Sequence, residues 1–203
     1  MDKISYALGL SMGNNFRASG VEKINVQDFA NGVAAVYGEQ PLEMTYDEAK
    51  QVIRDYFQEM EKKNQEAAAA AAKVNEEAGK AYLEENGKRH EVVTLPSGLQ
   101  YEVIEEGNGP KPSAGDQVKV HYTGRLIDGT VFDSSVERGE PATFGVTQVI
   151  PGWVEALQLM NAGSKWRLHI PSNLAYGPQG AGGVIGPNST LIFDVELLEV
   201  LGK

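Results

Sequence analysis

Residues 1–88 carry hydrophobic positions at helical spacing. Near the start, apolar residues recur every four positions, as one face of a helix requires: Ile4, Leu8, Met12 and Phe16. A second helix is expected after Asn25, which is a favourable N-cap residue. Its apolar face would consist of Phe29, Val33, Val36 and Tyr37. Gly38 and Pro41 follow and end the helical pattern.

A third and much longer helix is predicted to begin at Thr45. Thr45 and Glu48 have the spacing of a capping box, in which each side chain accepts from the other residue's free backbone N–H. The first turns carry an apolar stripe: Ala49, Val52, Ile53, Tyr56, Phe57 and Met60. Charged residues and six consecutive alanines then follow, and no clear stop precedes Asn86-Gly87. A continuous, exposed helix is predicted, with a disordered low-complexity linker as the alternative.

Three helices of this length leave little room for a hydrophobic core of their own. The apolar stripes therefore predict a homodimer, in which a second copy of the chain covers them. We divide the chain into a helical dimerisation region at residues 1–45, a long connecting helix at residues 46–88 and a further domain at residues 89–203.

From Leu95 onwards the hydrophobic period changes to two, which is typical of half-buried strands. The alternating sets are Leu99, Tyr101 and Val103, then Val118, Val120 and Tyr122, then Trp166, Leu168 and Ile170, and finally Leu191, Phe193, Val195 and Leu197. Asp128-Gly129 predicts a tight hairpin turn between two strands. One helix is expected from Pro151 to Met160. Together these patterns predict an α+β class, with an antiparallel sheet wrapped on a short helix.

Charge and composition exclude several functions. The net charge is −10, so binding to nucleic acid or to an anionic membrane is not expected. The absence of cysteine excludes disulfides, thiolate metal sites and cysteine nucleophiles. The histidines His90, His121 and His169 lack metal-ligand spacing, and the last two are expected on the polar surface of their strands. No nucleotide-binding or serine-hydrolase motif is present, so no metal and no cofactor are expected.

The sequence also bears on the compartment. No run of about 18 apolar residues is present, so no membrane span is expected. The N-terminus lacks the charged, apolar and small-residue pattern of a signal peptide. A cytoplasmic location is therefore expected, with a periplasmic or cell-surface location as the alternative if an export signal preceded residue 1.

Aromatic residues are concentrated in the sheet half, within motifs that resemble a known family. Five segments occur in order: Val120-His-Tyr-Thr-Gly124, Asp128-Gly-Thr-Val-Phe-Asp-Ser-Ser135, Val149-Ile-Pro-Gly-Trp153, Ala175-Tyr-Gly177 and Leu191-Ile-Phe-Asp-Val-Glu-Leu197. Over Leu95 to Lys203 the chain resembles the FK506-binding-protein (FKBP) family of peptidyl-prolyl cis/trans isomerases. The preceding helices resemble the dimerisation arm of the macrophage-infectivity-potentiator and 22 kDa bacterial members.

The resemblance implies a half-open sheet curled around the predicted helix, with an apolar pocket between them. Trp153 would form the pocket floor. The implied walls are Tyr122, Phe132, Val149, Ile150, Val184, Ile185 and Phe193. The Tyr176 hydroxyl and the Ile150 backbone N–H would donate to ligand carbonyls. Phe144 belongs either to this pocket or to the core.

At the rim of the pocket the resemblance implies Asp133, held by Tyr122 and Arg138. Asp133 either takes part in catalysis or only orients Tyr122. Ala142 stands where animal members have an aromatic wall residue, and Ala181 stands where they have a histidine or a similar bulky residue. Both alanines would widen the rim, which leaves the peptide preference open.

Two functions are weighed on this basis. The first is enzymatic: acceleration of X–Pro rotation in unfolded or partly folded proteins, with chaperone activity through a dimeric clamp. The alternative is a holdase or binding module in which prolyl turnover matters little. A third possibility, suggested by the potentiator relatives alone, is a virulence-associated surface protein. The expected partners are proline-containing peptides, unfolded client proteins, a second copy of the chain, and FK506- or rapamycin-type macrolides as inhibitors.

Overall fold

Three helices form the first part of the chain: α1 (Lys3–Ala18), α2 (Val26–Val36) and α3 (Tyr46–Asn86). They belong to a computed structural model that describes residues 1–38 and 40–202. Asn25 caps α2, because its Oδ1 accepts from the Gln27 N–H at 3.0 Å. Thr45 and Glu48 form the predicted capping box, with N–H donors 2.8 and 3.2 Å from the partner's side-chain oxygen. α3 is unbroken over its 41 residues, so the predicted continuous helix is confirmed and the alternative of a disordered linker is wrong.

The chain divides into two compact units, Met1–Met60 and Glu61–Lys203. In the first unit, Phe16 of α1 meets Phe29 of α2 edge to face, with ring centroids 5.4 Å apart. None of the described residues in this unit is buried. The division lies within α3, in the stretch that the sequence analysis assigned to a connecting helix. Among the described residues, neither α3 nor any other helix combines the length and the apolar character needed to cross a membrane.

The second unit contains a seven-stranded antiparallel sheet. Its strands are β1 (Val92–Thr94), β2 (Gln100–Glu105), β3 (Gln117–Leu126), β4 (Val131–Ser134), β5 (Ala142–Gly145), β6 (Lys165–Ile170) and β7 (Leu191–Gly202). They are ordered β1-β2-β6-β7-β3-β4, and β5 pairs with β3. The turn at Asp128-Gly129 joins β3 to β4, and Gly129 has a φ of +92°, a conformation that favours glycine. The predicted antiparallel sheet is confirmed.

The hydrophobic core lies where one face of the sheet packs on α5 (Pro151–Leu157). Its largest fully buried apolar side chains are Leu99, Val118, Val120, Val146, Leu157, Met160, Leu168, Ile170, Leu191, Val195 and Leu197. The helix ends at Leu157 rather than at the predicted Met160. Leu159 N–H already donates to the Ala156 carbonyl at 2.9 Å, which tightens the last turn.

The other face of β2 and β6 is covered by the C-terminal end of α3. The Tyr82 hydroxyl lies 2.7 Å from His169 Nδ1, and Asn86 Nδ2 donates to Gln100 Oε1 at 2.9 Å. His169 Nε2 lies 2.8 Å from a carboxylate oxygen of Glu102. A neutral imidazole protonated on Nε2 satisfies both contacts, since it donates to Glu102 and accepts from Tyr82.

Burial in the sheet corrects three expectations. His169 was expected at the surface, but only 1% of it is exposed. Val103 was expected on the buried face of its strand and is instead 46% exposed, while its polar neighbour Glu102 is buried. His121, also expected at the surface, is half-buried, and its Nδ1 lies 3.0 Å from Ser135 Oγ. An end of a distant helix buries polar positions that strand alternation alone assigns to solvent.

Candidate active site

An open apolar cleft of about 490 Å³ lies between the sheet and the start of α5. Ten residues line it: Tyr122, Phe132, Asp133, Phe144, Gln148, Val149, Ile150, Trp153, Tyr176 and Phe193. Clefts of about 300 to 1,000 Å³ with mainly apolar walls are typical of small-molecule binding sites. The cleft is not filled by the protein's own side chains, so a proline ring has room to enter.

Trp153 lies at the closed end of this cleft and is 3% exposed. Pro151 occupies the first turn of α5, where its fixed φ suits a helix start. Three rings meet the Trp153 indole nearly at right angles, with centroid distances of 5.3, 5.9 and 5.3 Å: Tyr122, Phe144 and Phe193. Edge-to-face packing of this kind is favourable and holds the indole in one orientation. Phe144 therefore both lines the cleft and packs against its floor.

A glycine makes the aromatic wall possible. A Cβ atom on Gly124 of β3 would lie 2.6 Å from ring atoms of both Phe132 and Phe193. Those two rings are themselves in an edge-to-face pair with centroids 5.5 Å apart. Any larger residue at position 124 would displace the wall, so the wall's shape depends on this close backbone approach.

Tyr122, Asp133 and Arg138 form a bonded trio at one side of the cleft. Ser134 caps the short helix α4 (Ser135–Arg138), which presents Arg138 to the other two residues. The Tyr122 hydroxyl donates to Asp133 Oδ2 at 2.5 Å. Arg138 donates to Asp133 Oδ1 and, at 3.0 Å, to the Tyr122 hydroxyl. Both carboxylate oxygens of Asp133 are therefore engaged by neighbours.

The trio has defined protonation states near neutral pH. Partial burial acts to raise the pKa of Asp133, but the hydrogen bonds from Tyr122 and Arg138 outweigh burial and lower that pKa. Burial and the hydrogen bond to Asp133 raise the pKa of Tyr122. Asp133 is thus a carboxylate and Tyr122 a neutral phenol at pH 7, and neither is poised to exchange a proton.

Two potential donors to a ligand carbonyl border the cleft. Ile150 is the N-cap residue of α5, and its own carbonyl accepts from the Trp153 and Val154 N–H groups at 2.9 and 3.1 Å. The N–H of an N-cap residue lies outside the hydrogen bonding of its helix. Tyr176 is 41% exposed, and within residues 1–38 and 40–202 its hydroxyl has no hydrogen-bond partner.

Three of the predicted site residues do not line the cleft. Arg138 reaches it only through Tyr122 and Asp133. Ile185 is 7% exposed and belongs to the hydrophobic core, where it forms a two-bond bridge with Ala181. Val184 is 50% exposed and is not among the lining residues. The loop here turns back on itself between Ala181 and Ile185, so its apolar residues divide between core and solvent.

Sequence reasoning missed Gln148, which lines the cleft. Its amide carries no chemical signature of a site, but it directly precedes the Val149-Ile150 pair that was selected. Ala142, which was predicted to widen the rim, is half-buried in β5, opposite Val120 of β3. Ala181 packs against the core next to Ile185.

Fold and cleft together define a class of protein: an antiparallel sheet packed on a short helix, with an open apolar cleft between them. Comparisons with known proteins agree. Residues 109–198 match the FKBP-type peptidyl-prolyl cis-trans isomerase family, and residues 1–103 match the domain amino terminal to FKBP-type peptidyl-prolyl isomerase.

Relatives match along nearly the whole chain. The FKBP-type 22 kDa peptidyl-prolyl cis-trans isomerase of Escherichia coli is 49% identical over 97% of this chain and 94% of the relative. The outer membrane protein MIP of Legionella longbeachae is 46% identical over 98% of this chain and 85% of the relative. The crystal structure of FkpA from E. coli has a TM-score of 0.74 at 39% identity and covers 98% of this chain and 96% of that structure.

The chain therefore belongs to the FKBP-type peptidyl-prolyl cis-trans isomerases, with the amino-terminal domain that accompanies some members of the family. The predicted resemblance is confirmed, and so is the prediction of an enzyme that isomerises peptide bonds preceding proline.

Proposed function

We propose that the cleft isomerises X–Pro bonds by holding the proline ring against Trp153 and favouring the twisted amide. Rotation crosses a barrier of about 18–20 kcal/mol because it breaks amide resonance. The planar amide is more charge-separated than the twisted one, so an apolar enclosure disfavours the planar state. The observation that carries this proposal is the open apolar cleft of about 490 Å³ with a buried indole as its floor.

Hydrogen bonds would add to the preference of the cleft for the twisted amide over the planar one. Donors such as the Ile150 N–H and the Tyr176 hydroxyl accelerate the reaction if they hold the carbonyls flanking proline better in the twisted state than in the planar one. No covalent intermediate and no proton transfer to carbon is needed. Because Asp133 is ionised and Tyr122 neutral around neutrality, we expect kcat/KM to stay constant between about pH 6 and 8. A bell-shaped profile within that range would contradict the proposed mechanism.

For Asp133 we infer an orienting role, because Tyr122 and Arg138 occupy both of its carboxylate oxygens. A double-mutant cycle with Tyr122→Phe and Asp133→Leu separates the two alternatives. If Asp133 acts through Tyr122, the double variant is no slower on a peptide than the more damaging single variant. Multiplicative losses would instead assign Asp133 a direct part in catalysis.

The apolar side chains of the first unit support a homodimer through the N-terminal helices. A dimer would carry two clefts in one assembly. For a client with several prolines, binding at one cleft would raise the effective concentration of the second cleft. We propose unfolded or partly folded proteins as the clients, with the assembly acting both as isomerase and as chaperone. Trp153→Leu tests the alternative of a holdase: if this variant loses peptide turnover yet fully suppresses client aggregation, binding outweighs catalysis.

FK506- and rapamycin-type macrolides are proposed as ligands of the same cleft, because they offer an apolar ring beside carbonyl acceptors. Competition between such a macrolide and an X–Pro peptide, measured as a rise in apparent KM at unchanged kcat, is the test. Inhibition that left KM unchanged would place the macrolide elsewhere.

The name of the L. longbeachae relative, an outer membrane protein, favours the periplasmic or cell-surface alternative over the cytoplasmic expectation, which the comparisons do not support. We propose a location outside the cytoplasm for this chain. Fractionation of the source cells followed by immunodetection decides between the two compartments.

A further inference from the structure

The loop that follows Tyr176 is held from outside by α3. Residues 177–190, here called the rim loop, connect the cleft-lining Tyr176 to the start of β7. Asn75 Nδ2 donates to the Pro187 carbonyl at 2.9 Å. The Asn75 side chain is half-buried at this contact, so α3 fixes the rim loop close to its C-terminal end.

Gly79 makes a second contact one turn further along α3. It is the only glycine in this helix, and it is buried. A Cβ atom at this position would lie 2.2 Å from Thr190 Oγ1 and 3.0 Å from Thr190 Cβ. Glycine inside a helix is less stable than alanine, so its presence fits a position where the helix backbone must approach the loop closely.

Bonds within the rim loop connect these contacts to Tyr176. Asn188 has a φ of +55°, and its N–H donates to the Gly177 carbonyl at 2.9 Å. The Ala181–Ile185 bridge closes the middle of the loop with N–H to carbonyl distances of 2.9 and 3.0 Å. Asn188, which lies between Pro187 and Thr190, is thus bonded directly to Gly177, the residue next to Tyr176.

We propose that Asn75 and Gly79 are positioning residues for prolyl isomerisation, which brace the rim loop and so hold Tyr176 at the cleft. The proposal rests on the function proposed above, because it takes Tyr176 to be a ligand-binding residue. Neither Asn75 nor Gly79 lines the cleft. They act by setting the fraction of molecules whose loop is ordered, and apparent affinity falls in proportion to that fraction.

Asn75→Asp and Gly79→Ala in the full-length chain test the brace. Aspartate keeps the size of asparagine, but a carboxylate cannot donate to the Pro187 carbonyl. A methyl group at position 79 would lie 3.0 Å from Thr190 Cβ, so either the helix or Thr190 must shift. Each variant is expected to raise the KM for a tetrapeptide with one X–Pro bond by about fivefold, with kcat within twofold of the unmodified chain. Glu77→Gln, on the exposed side of the same helical turn, is the matched control and should leave both constants unchanged.

Hydrogen exchange of the backbone amides in residues 177–190 gives a second readout that does not need activity. Exchange should be faster in Asn75→Asp and Gly79→Ala than in the unmodified chain and in Glu77→Gln, with the core amides of β3 and β7 unchanged. If the unmodified chain failed to turn over the peptide, the proposed function would fail while the exchange result would still decide whether the brace exists. Unchanged KM, unchanged loop exchange, or faster exchange throughout β3 and β7 would each overturn the proposal.

Discussion

The two compact units of this chain use their hydrophobic residues in opposite ways. In Glu61–Lys203, apolar side chains from the strands and α5 converge on one core, and many are completely buried. In Met1–Met60, no described residue is buried, and large apolar residues such as Val36 and Ile53 are more than half exposed. A soluble protein rarely leaves that much apolar surface open without a partner. The exposed apolar surface of the first unit is what supports the proposed dimer, whereas the second unit has a hydrophobic core of its own.

The units also differ in where their polar groups lie. The second unit buries Glu102 and His169 between β2, β6 and the end of α3 and satisfies both with hydrogen bonds. In the first unit, the hydrogen-bonded side chains, including Thr45 and Glu48, are exposed and local in sequence. Long-range polar contacts specify a single arrangement of the sheet and helix in the second unit.

The largest expected effect comes from placing a charge on the apolar surface of the first unit. Val36→Asp and Ile53→Asp should each convert a dimer into a monomer at micromolar concentration. An unpaired carboxylate in an apolar interface costs several kcal/mol, and a twofold symmetric interface contains one such carboxylate from each protomer. Sedimentation equilibrium measures the mass. The matched control is Ala69→Asp, in the alanine run outside this unit, which should stay dimeric. A monomeric unmodified chain would remove the dimer proposal altogether.

Two truncations test which part of α3 the sheet unit needs for its stability. Removing residues 1–60 should leave the stability and peptide turnover of the sheet unit intact. Removing residues 1–88 also deletes four buried or part-buried hydrogen bonds to the sheet and rim loop, made by Asn75, Tyr82, Leu83 and Asn86. It also removes one exposed contact of 3.5 Å, from Asn188 to Glu76. At about 1 kcal/mol each, the longer deletion should lower the free energy of unfolding by about 4 kcal/mol. Urea unfolding measures the free energy of unfolding of both truncated proteins. Equal values would mean that the C-terminal end of α3 does not stabilise the sheet unit.

Within the complete unit, Trp153→Leu should lower kcat/KM by about 100-fold, equivalent to about 2.7 kcal/mol, because the floor of the cleft is lost. Trp166→Leu is the control, since Trp166 is also buried but is not among the residues that line the cleft and stacks on Tyr101, with centroids 4.3 Å apart. The control should lose stability and keep its turnover. A protease-coupled assay on an X–Pro peptide measures both, and equal losses would make the first effect one of folding alone.

These contrasts also show what the sequence can predict. Features that depend only on residues close in sequence were predicted correctly. They are the Thr45–Glu48 capping box, the absence of a helix stop before Asn86, and the alternation in β7. The aromatic cleft was accessible through its motifs, and only Gln148, an amide without a chemical signature, was missed.

Contacts between distant segments had no such signal. Strand alternation predicts that Glu102 and His169 face solvent. They are buried instead, because the end of α3, which is distant in sequence, covers them. Val184 and Ile185 were selected together as wall residues, yet the Ala181–Ile185 bridge sends one of them to the core and leaves the other exposed.

The smallest expected effect concerns the buried histidine of the complete unit. Burial is the main cause that lowers the pKa of His169, assisted by the positive charges of Arg167 and Arg89, although the contact with Glu102 acts in the opposite direction. Below about pH 6.5, the ordinary histidine pKa, the unfolded chain therefore binds a proton that the folded chain does not. The free energy of unfolding should fall as pH drops from 6.5 towards the lowered pKa of His169.

Urea unfolding at pH 7.5 and pH 5.8 measures this loss, and the comparison is between slopes rather than absolute stabilities. His169→Gln should show a smaller loss of stability over that interval than the unmodified chain. His90→Gln, at a side chain that is 98% exposed, should keep the full loss. If both variants lost stability equally, the pH dependence would arise elsewhere. A larger loss in His169→Gln would mean that the folded protein prefers the charged imidazole, held by Glu102.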